Sequence, residues 1–276
     1  MAALKTPDFA YGGLRPLLLG ELSWPELKEL LPEIRLVIQT VGSLEQHGPN
    51  TALETDTAIA YEISKIASAR LWPKLLVAPP LHWGFAPYHM GFPGTITMRP
   101  ETVFVLLEEM FGSFKRHGLN RWLLTNFHSG NEAMLVLAVQ TLADRLSPNF
   151  LGTCSLYHLE PDEIEEQIKK TELVGHGCEV ETSELMYLRP DLVKIHAVAP
   201  GMTQRDEVSM RRRLWSRGVR VAWTFDRGTY NGALGDSRLA SYEGGKAMVD
   251  AIIDEFVEIL TEGIMDWEAP GARRAG

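Results

Sequence analysis

Short apolar runs alternate with longer stretches of helical period, and this alternation limits the fold more than any other feature of the chain. Residues 36–41 (Leu-Val-Ile-Gln-Thr-Val) read as a buried strand, and 56–69 as a helix with Ile59, Ile63 and Ile66 at helical spacing. A short apolar run at 75–78 is closed by Pro79-Pro80. The spacing predicts a helix over 100–117 that opens on Pro100-Glu101 and carries Val103, Leu106, Leu107 and Met110 as its stripe. A strand at 122–126, a helix at 132–146 and a strand at 150–157 follow. A helix at 179–188 is halted by Arg189-Pro190, 219–224 reads as another strand, and 237–262 as a long amphipathic helix. Repeated β-α units of this kind predict an α/β fold, a three-layer α/β/α sandwich with a mainly parallel sheet. No Ser/Gly-rich linker, internal repeat or low-complexity tract divides residues 1–276, so a single domain is expected.

Bulk properties exclude several functions. A formal net charge of −9 argues against a nucleic-acid partner, and no basic stripe with interleaved aromatics appears. The one basic cluster, Arg211-Arg212-Arg213, reads as a solvated loop or helix face. No apolar run approaches the roughly eighteen residues that span a bilayer. The segment Met1-Ala-Ala-Leu-Lys-Thr-Pro lacks a charged-then-apolar signal pattern, so a cytoplasmic protein is expected. The two cysteines, Cys154 and Cys178, cannot build a disulfide framework or a thiolate metal site. Cys154 reads as core. Cys178 sits near His176 and beside Glu179, where carboxylates would raise a thiol's pKa and blunt a nucleophile.

Ionisable residues gather where predicted strands end. Glu45, His47 and Asp56 follow the first strand in a loop rich in glycine and proline, the place where parallel sheets put chemistry. A carboxylate, an imidazole and a second carboxylate suit Zn²⁺ or Mn²⁺, although a polar loop with a helix-capping Asp fits the same spacing. Three further clusters obey the same rule: His82-Trp83-Gly84 with His89 and Phe92-Pro93-Gly94-Thr95, then Asn126-Phe127-His128-Ser129-Gly130-Asn131, then His176 to Ser183 at the start of a helix. Together they favour a metal site at one edge of the sheet. Two long aperiodic segments flank it. The aromatic 82–98 suits a pocket wall, and the acidic 159–177 suits a lid with a short helix.

Glu45-x-His47-Gly-Pro with Asp56, Phe92-Pro-Gly-Thr95, Asn126-x-His128-x-Gly-Asn131 and His176-x-x-Glu179-x-Glu181-Thr-Ser together resemble the creatininase (creatinine amidohydrolase) family. The match runs from about residue 36 to 188 and extends to Gly235-Asp236-Ser237. The resemblance implies two divalent metal ions, with Zn²⁺ expected and Mn²⁺ or Fe²⁺ as alternatives. Glu45 and His128 would bind one ion, His47 the other, and Asp56 would bridge them. Such a pair holds a bridging hydroxide at neutral pH and polarises an amide carbonyl. His176 would then be the general acid for the departing nitrogen, with Glu181 as a pocket carboxylate that orients it or binds a substrate N–H.

Departures from the family pattern bear on metal and substrate. Creatininase has a second-metal Glu two residues after the His of the third motif, where this chain has Gly130. Glu179 is the expected replacement, with Glu132 as the alternative. The family's pocket serine is Ala86 here, and Glu172-Leu173-Val174 stands where creatininase carries its tryptophan-bearing loop. Creatinine would lack its main stacking partner. The expected activity is therefore hydrolysis of a C–N bond in a small cyclic amide or formamide. The alternatives are trimming of a small modified peptide, or a scaffold that only binds a ligand. The resemblance also implies a homo-oligomer, a hexamer in many family members.

Overall fold

Strand after strand in this chain is apolar on both faces, and only burial between two helical layers satisfies such a pattern. The computed structural model describes residues 13–171, 175–265 and 267. In chain order the elements are β1 (Leu17–Leu18), α1 (Trp24–Leu30), β2 (Leu36–Thr40), α2 (Thr55–Arg70), β3 (Leu75–Val77), α3 (Pro100–Arg116), β4 (Arg121–Asn126) and α4 (Glu132–Leu146). After them come β5 (Phe150–Ser155), α5 (Asp162–Ile168), α6 (Glu179–Leu188), α7 (Arg205–Trp215), α8 (Phe225–Gly228) and α9 (Tyr242–Glu258). The sheet runs in the order β1-β3-β2-β4-β5 with every pairing parallel. Register places Ile38 between Val77 and Leu123.

Alternate strand residues feed two cores. Leu36, Ile38, Leu75, Val77 and Leu123 pack under α2, α6 and α9, with Ile59, Ile63, Leu185, Ile252 and Phe256 as the helical half. Val37, Leu76, Trp122 and Leu124 face the other way, onto Val103, Leu107, Phe111, Leu135 and Leu142 of α3 and α4. The result is the expected three-layer α/β/α sandwich. Because the strands are parallel, all the loops leaving their C-terminal ends meet on one edge.

Two expectations are corrected. Residues 219–224 form no strand, since Val219 and Val221 are 46% and 45% exposed and no neighbour pairs with them. The last helix starts at Tyr242, where the Ser241 side chain accepts from Gly244 N, after a separate single turn at Ser237–Leu239. Arg211–Arg213 fall on a helix, α7, which buries Val208 alone, in keeping with the helix-face alternative of the expectation. The acidic segment does carry the expected short helix, α5.

Candidate metal centre and its cavity

Glu45 and His47 are fixed by backbone pairing before their side chains are considered. Glu45 N donates to Leu53 O at 2.9 Å, and Ile96 N donates to Leu44 O at 2.9 Å, which ties the first loop to the Phe-Pro-Gly-Thr segment. The asparagines of the third motif do the same for β4. Asn126 accepts from His128 N at 3.0 Å, while Asn131 donates to Gly42 O (3.0 Å) and accepts from Phe85 N (2.8 Å). Gly177, with φ +62°, lets the start of α6 press against the first loop, since a Cβ there would lie 2.8 Å from His47 O.

These constraints gather Glu45, His47, Asp56, His128, His176 and Glu181, and all of them but the enclosed His47 line a cavity of about 490 Å³. Asp56 lies between two imidazoles: Oδ1 is 3.2 Å from His47 Nε2 and Oδ2 is 3.5 Å from His128 Nδ1. Glu45 Oε2 is 3.1 Å from His128 Nδ1 and accepts from Ser43 Oγ at 2.6 Å. His47 Nδ1 faces the Glu45 carbonyl at 3.0 Å, which leaves Nε2 for Asp56. Ligand atoms of Glu45, His47 and Asp56 lie within 4.8 Å of one another, as do those of His47, His176 and Glu181. His176 packs its ring 4.1 Å from that of His47, with Nε2 on the Gln46 carbonyl and Nδ1 3.7 Å from Glu45 Oε1.

The donor set fits divalent cations on two counts. Glu45 Oε1 and Asp56 Oδ2 are fully buried yet have no hydrogen-bond donor, a costly state unless a cation meets them. The carboxylates also pull positive charge onto the imidazoles. Burial works against protonated His47, but Asp56 together with Glu181 and Glu45 outweighs it and pushes the pKa up to about 10. Burial likewise opposes His128, and Glu45 with Asp56 raises it to about 9. Away from Asp56 the order reverses: burial, then His47 and His89, holds His176 well below the usual histidine value. Burial pushes Glu181 up to about 7.

Glu179 is not in this cluster. Its Oε1 accepts from Lys170 N (3.1 Å), Thr171 N (3.0 Å) and Thr171 Oγ1 (2.7 Å), and its Oε2 from Asp236 N (3.0 Å). Those donors use its lone pairs to fasten the acidic segment and the Gly-Asp turn to α6. Glu132 also lies elsewhere, bound to Tyr157 Oη at 2.7 Å and His158 Nε2 at 3.1 Å. The carboxylate of α6 that reaches the cluster is Glu181, two residues on. At Gly130 no side chain could follow the creatininase pattern, because a Cβ would fall onto Tyr88 Oη and His128 Nε2.

Two residues of the centre escaped the sequence reading as site members. His89 accepts from Gln46 Nε2 at 3.0 Å and brings its Nε2 to 3.1 Å from Glu45 Oε1 without a hydrogen bond, in a group with Glu45 and His176 whose ligand atoms lie within 4.8 Å of one another. Burial, then His128 and His47, drives its pKa down to about 2. Phe225 stacks on His89 at 4.0 Å and lies 4.7 Å from His176. Its signal in the sequence was weak, a lone aromatic beyond a misread strand. Cys178 is buried, and burial with Glu181 raises its thiol pKa, consistent with an inert side chain. Residues 172–174, which stand where creatininase has its tryptophan-bearing loop, lie outside the described residues.

The Creatininase family model, described as creatinine amidohydrolase, matches residues 20–260. The chain belongs to the creatininase family. Among curated relatives it is similar to the 3-dehydro-scyllo-inosose hydrolase of Thermotoga maritima, at 27% identity over 89% of this chain and 82% of that one. It is also similar to the mycofactocin precursor peptide peptidase of Mycolicibacterium smegmatis, at 28% identity over 91% of each. A crystal structure of creatininase superposes with a TM-score of 0.76 at 22% identity, over 90% of this chain and 98% of that one, and so shares the family's fold. Solved creatininases with the same TM-score of 0.76 include an Mn form and a mutant of Zn–Zn type.

Proposed function

We propose that this family member is a two-metal amidohydrolase that cleaves a C–N bond in a small cyclic amide or formamide. The observation that carries the proposal is Asp56, whose two carboxylate oxygens face two different imidazoles (3.2 and 3.5 Å) in a buried cluster with orphaned carboxylate oxygens. Glu45, His128 and Asp56 would hold one ion, and His47, Asp56 and Glu181 the other, with Zn²⁺ or Mn²⁺ as the metals. The bound ions would supply Lewis acidity to an amide carbonyl and lower the pKa of water.

The chain's own groups do the rest. His176 Nε2 is committed to the Gln46 carbonyl, so Nδ1 is the atom left to accept a proton and pass it to the departing nitrogen. A neutral imidazole suits that task. Ser43 keeps the Glu45 carboxylate from turning. Phe225 and Tyr88 wall the reacting end and limit water.

Similarity to the mycofactocin precursor peptide peptidase supports a second reading, in which the scissile bond is that of a small modified peptide. The same proposal treats 1–276 as one domain and carries over a homo-oligomer and a cytoplasmic location; among the described residues no helix is long and apolar enough to cross a membrane. The test is a screen of cyclic amides, formamides and short peptides with and without chelator, beside metal analysis of the purified protein. Turnover indifferent to chelation, or less than one bound equivalent, would sink the mechanism.

A further inference from the structure

The cavity does not end at the metal cluster. Its far wall is α7, from which Arg211, Arg212 and Trp215 face inward, and a second cavity of about 640 Å³ continues past Tyr88, Arg211 and Trp215 to Trp223. Arg211 is the unusual member. Its guanidinium stacks over Trp223 at 4.6 Å and near Trp215 at 5.3 Å, and among the described residues no carboxylate pairs with it. Burial destabilises its charge, as do Arg212 and Arg220. Beside it, the buried Trp223 Nε1–H has no acceptor among the described residues. Both residues line the second cavity, in a chain of net charge −9. A planar guanidinium held flat on indole rings keeps its fork of N–H donors free for a planar or tetrahedral oxyanion. Tyr88 links this wall to the chemistry, since its hydroxyl lies 3.0 Å from His128 Nε2 while its ring borders both cavities.

We propose that Arg211, with the Trp223 indole N–H, binds an anionic group on the substrate, a carboxylate or a phosphate, at the end remote from the scissile amide. The inference rests on the hydrolase reading for which end of the substrate reacts, but not for the anion site itself. A substrate class follows: acid-bearing amides or formamides rather than neutral rings. Arg211 is then a specificity residue whose removal leaves the metal cluster intact.

The test is equilibrium binding to the metal-loaded protein, read by quenching of intrinsic tryptophan fluorescence. The probes are N-formyl-β-alanine, its neutral amide N-formyl-β-alaninamide, and N-formyl-phosphoethanolamine. At least one anionic probe should bind about tenfold or more tighter than the neutral one, as expected for a charge-assisted hydrogen bond. Which anion wins identifies the group. In Arg211→Gln that preference should fall below about twofold, while Arg211→Lys, which keeps a point charge without the fork, should retain part of it. Trp223→Phe keeps the ring and removes the N–H, and should weaken the winning anion alone. Equal binding of all three probes by the wild-type protein, or a preference that survives Arg211→Gln, would overturn the proposal. The readout is binding, so failure of the probes to be cleaved counts against the hydrolase reading and not against the anion site.

Discussion

Glu179 and Glu181 stand two residues apart in the first turn of α6, and substituting each by Gln separates a structural carboxylate from a metal-binding one. Glu179 accepts four hydrogen bonds, three at one oxygen and one at the other. A Gln can keep its carbonyl toward the first three donors, but its NH₂ then meets the Asp236 N–H, donor against donor. One charge-assisted bond is lost and one amide is left without an acceptor, a cost of about 3 kcal/mol. For a chain of this size that lowers the melting temperature of the chelator-treated protein by about 5–10 °C. Metal content should stay at two equivalents. Among the described residues the Glu181 side chain accepts one hydrogen bond, from Gly177 N at 2.6 Å, and burial already disfavours its charge. Glu181→Gln should therefore melt within about 2 °C of the wild type without metal. Bound metal should drop to one equivalent by plasma mass spectrometry. With free Zn²⁺ at a hundred times its Kd, the wild-type protein gains about 2.7 kcal/mol per site, and this variant should show that gain for one site only. A Glu179→Gln protein that loses metal at an unchanged melting temperature would refute the reasoning.

Other substitutions probe the rest of the cluster. Asp56→Ala should abolish binding of both ions and with it any metal-dependent rise in melting temperature; one tightly held equivalent would show that Asp56 is no bridge. His176→Ala should retain both metals and lose about 10²–10⁴-fold in kcat on whichever amide is cleaved, and loss of metal instead would make His176 a ligand. Glu184 is fully buried with neither oxygen hydrogen-bonded, and burial with Glu160 raises its pKa well above the usual value; burial also pushes Glu160 up to about 8. Both are held protonated in the folded chain while the unfolded chain ionises near pH 4.5, so stability is full at acid pH and falls as pH rises from about 4.5 to 8. Melting temperatures across that range should drop more steeply for the wild type than for Glu184→Gln, and parallel curves would contradict the assignment.

Legibility in the sequence followed burial. β2, β4 and the helices α2, α4 and α6 were readable because their residues are enclosed on two faces or carry a full apolar stripe. α7 was not, because a helix that buries only Val208 leaves almost no period to read. Val219 and Val221 gave the opposite error, since β-branched residues form a strand only where a neighbour pairs with them. In the site, spacing located the loops but not the direction of each side chain. Two positions along a helix rotate by about 200°, so Glu179 and Glu181 had to face opposite sides, and residue type could not say which side met the cluster. His89 was visible only as one more histidine in an aromatic loop. Its approach to Glu45 depends on residues over forty positions apart.

Gly130 connects the change in metal ligands to the change in substrate. Tyr88 Oη and His128 Nε2 occupy the space that a side chain at 130 would need, so this loop cannot deliver a carboxylate. If Glu181 supplies one from α6, as proposed, the second ion's ligands would all come from the side of the cavity built by the first loop and α6. The side formed by Tyr88, Gly130 and α7 is then left to the substrate. A glycine at 130 admits Tyr88 to His128, and Tyr88 in turn borders Arg211 and the second cavity. On the proposed ligand set, one small residue would thus move a ligand to the opposite wall and leave the other wall open toward a basic, aromatic surface. Such a site would suit a substrate longer than a single flat ring, whose far acid group would meet a guanidinium that no carboxylate pairs among the described residues.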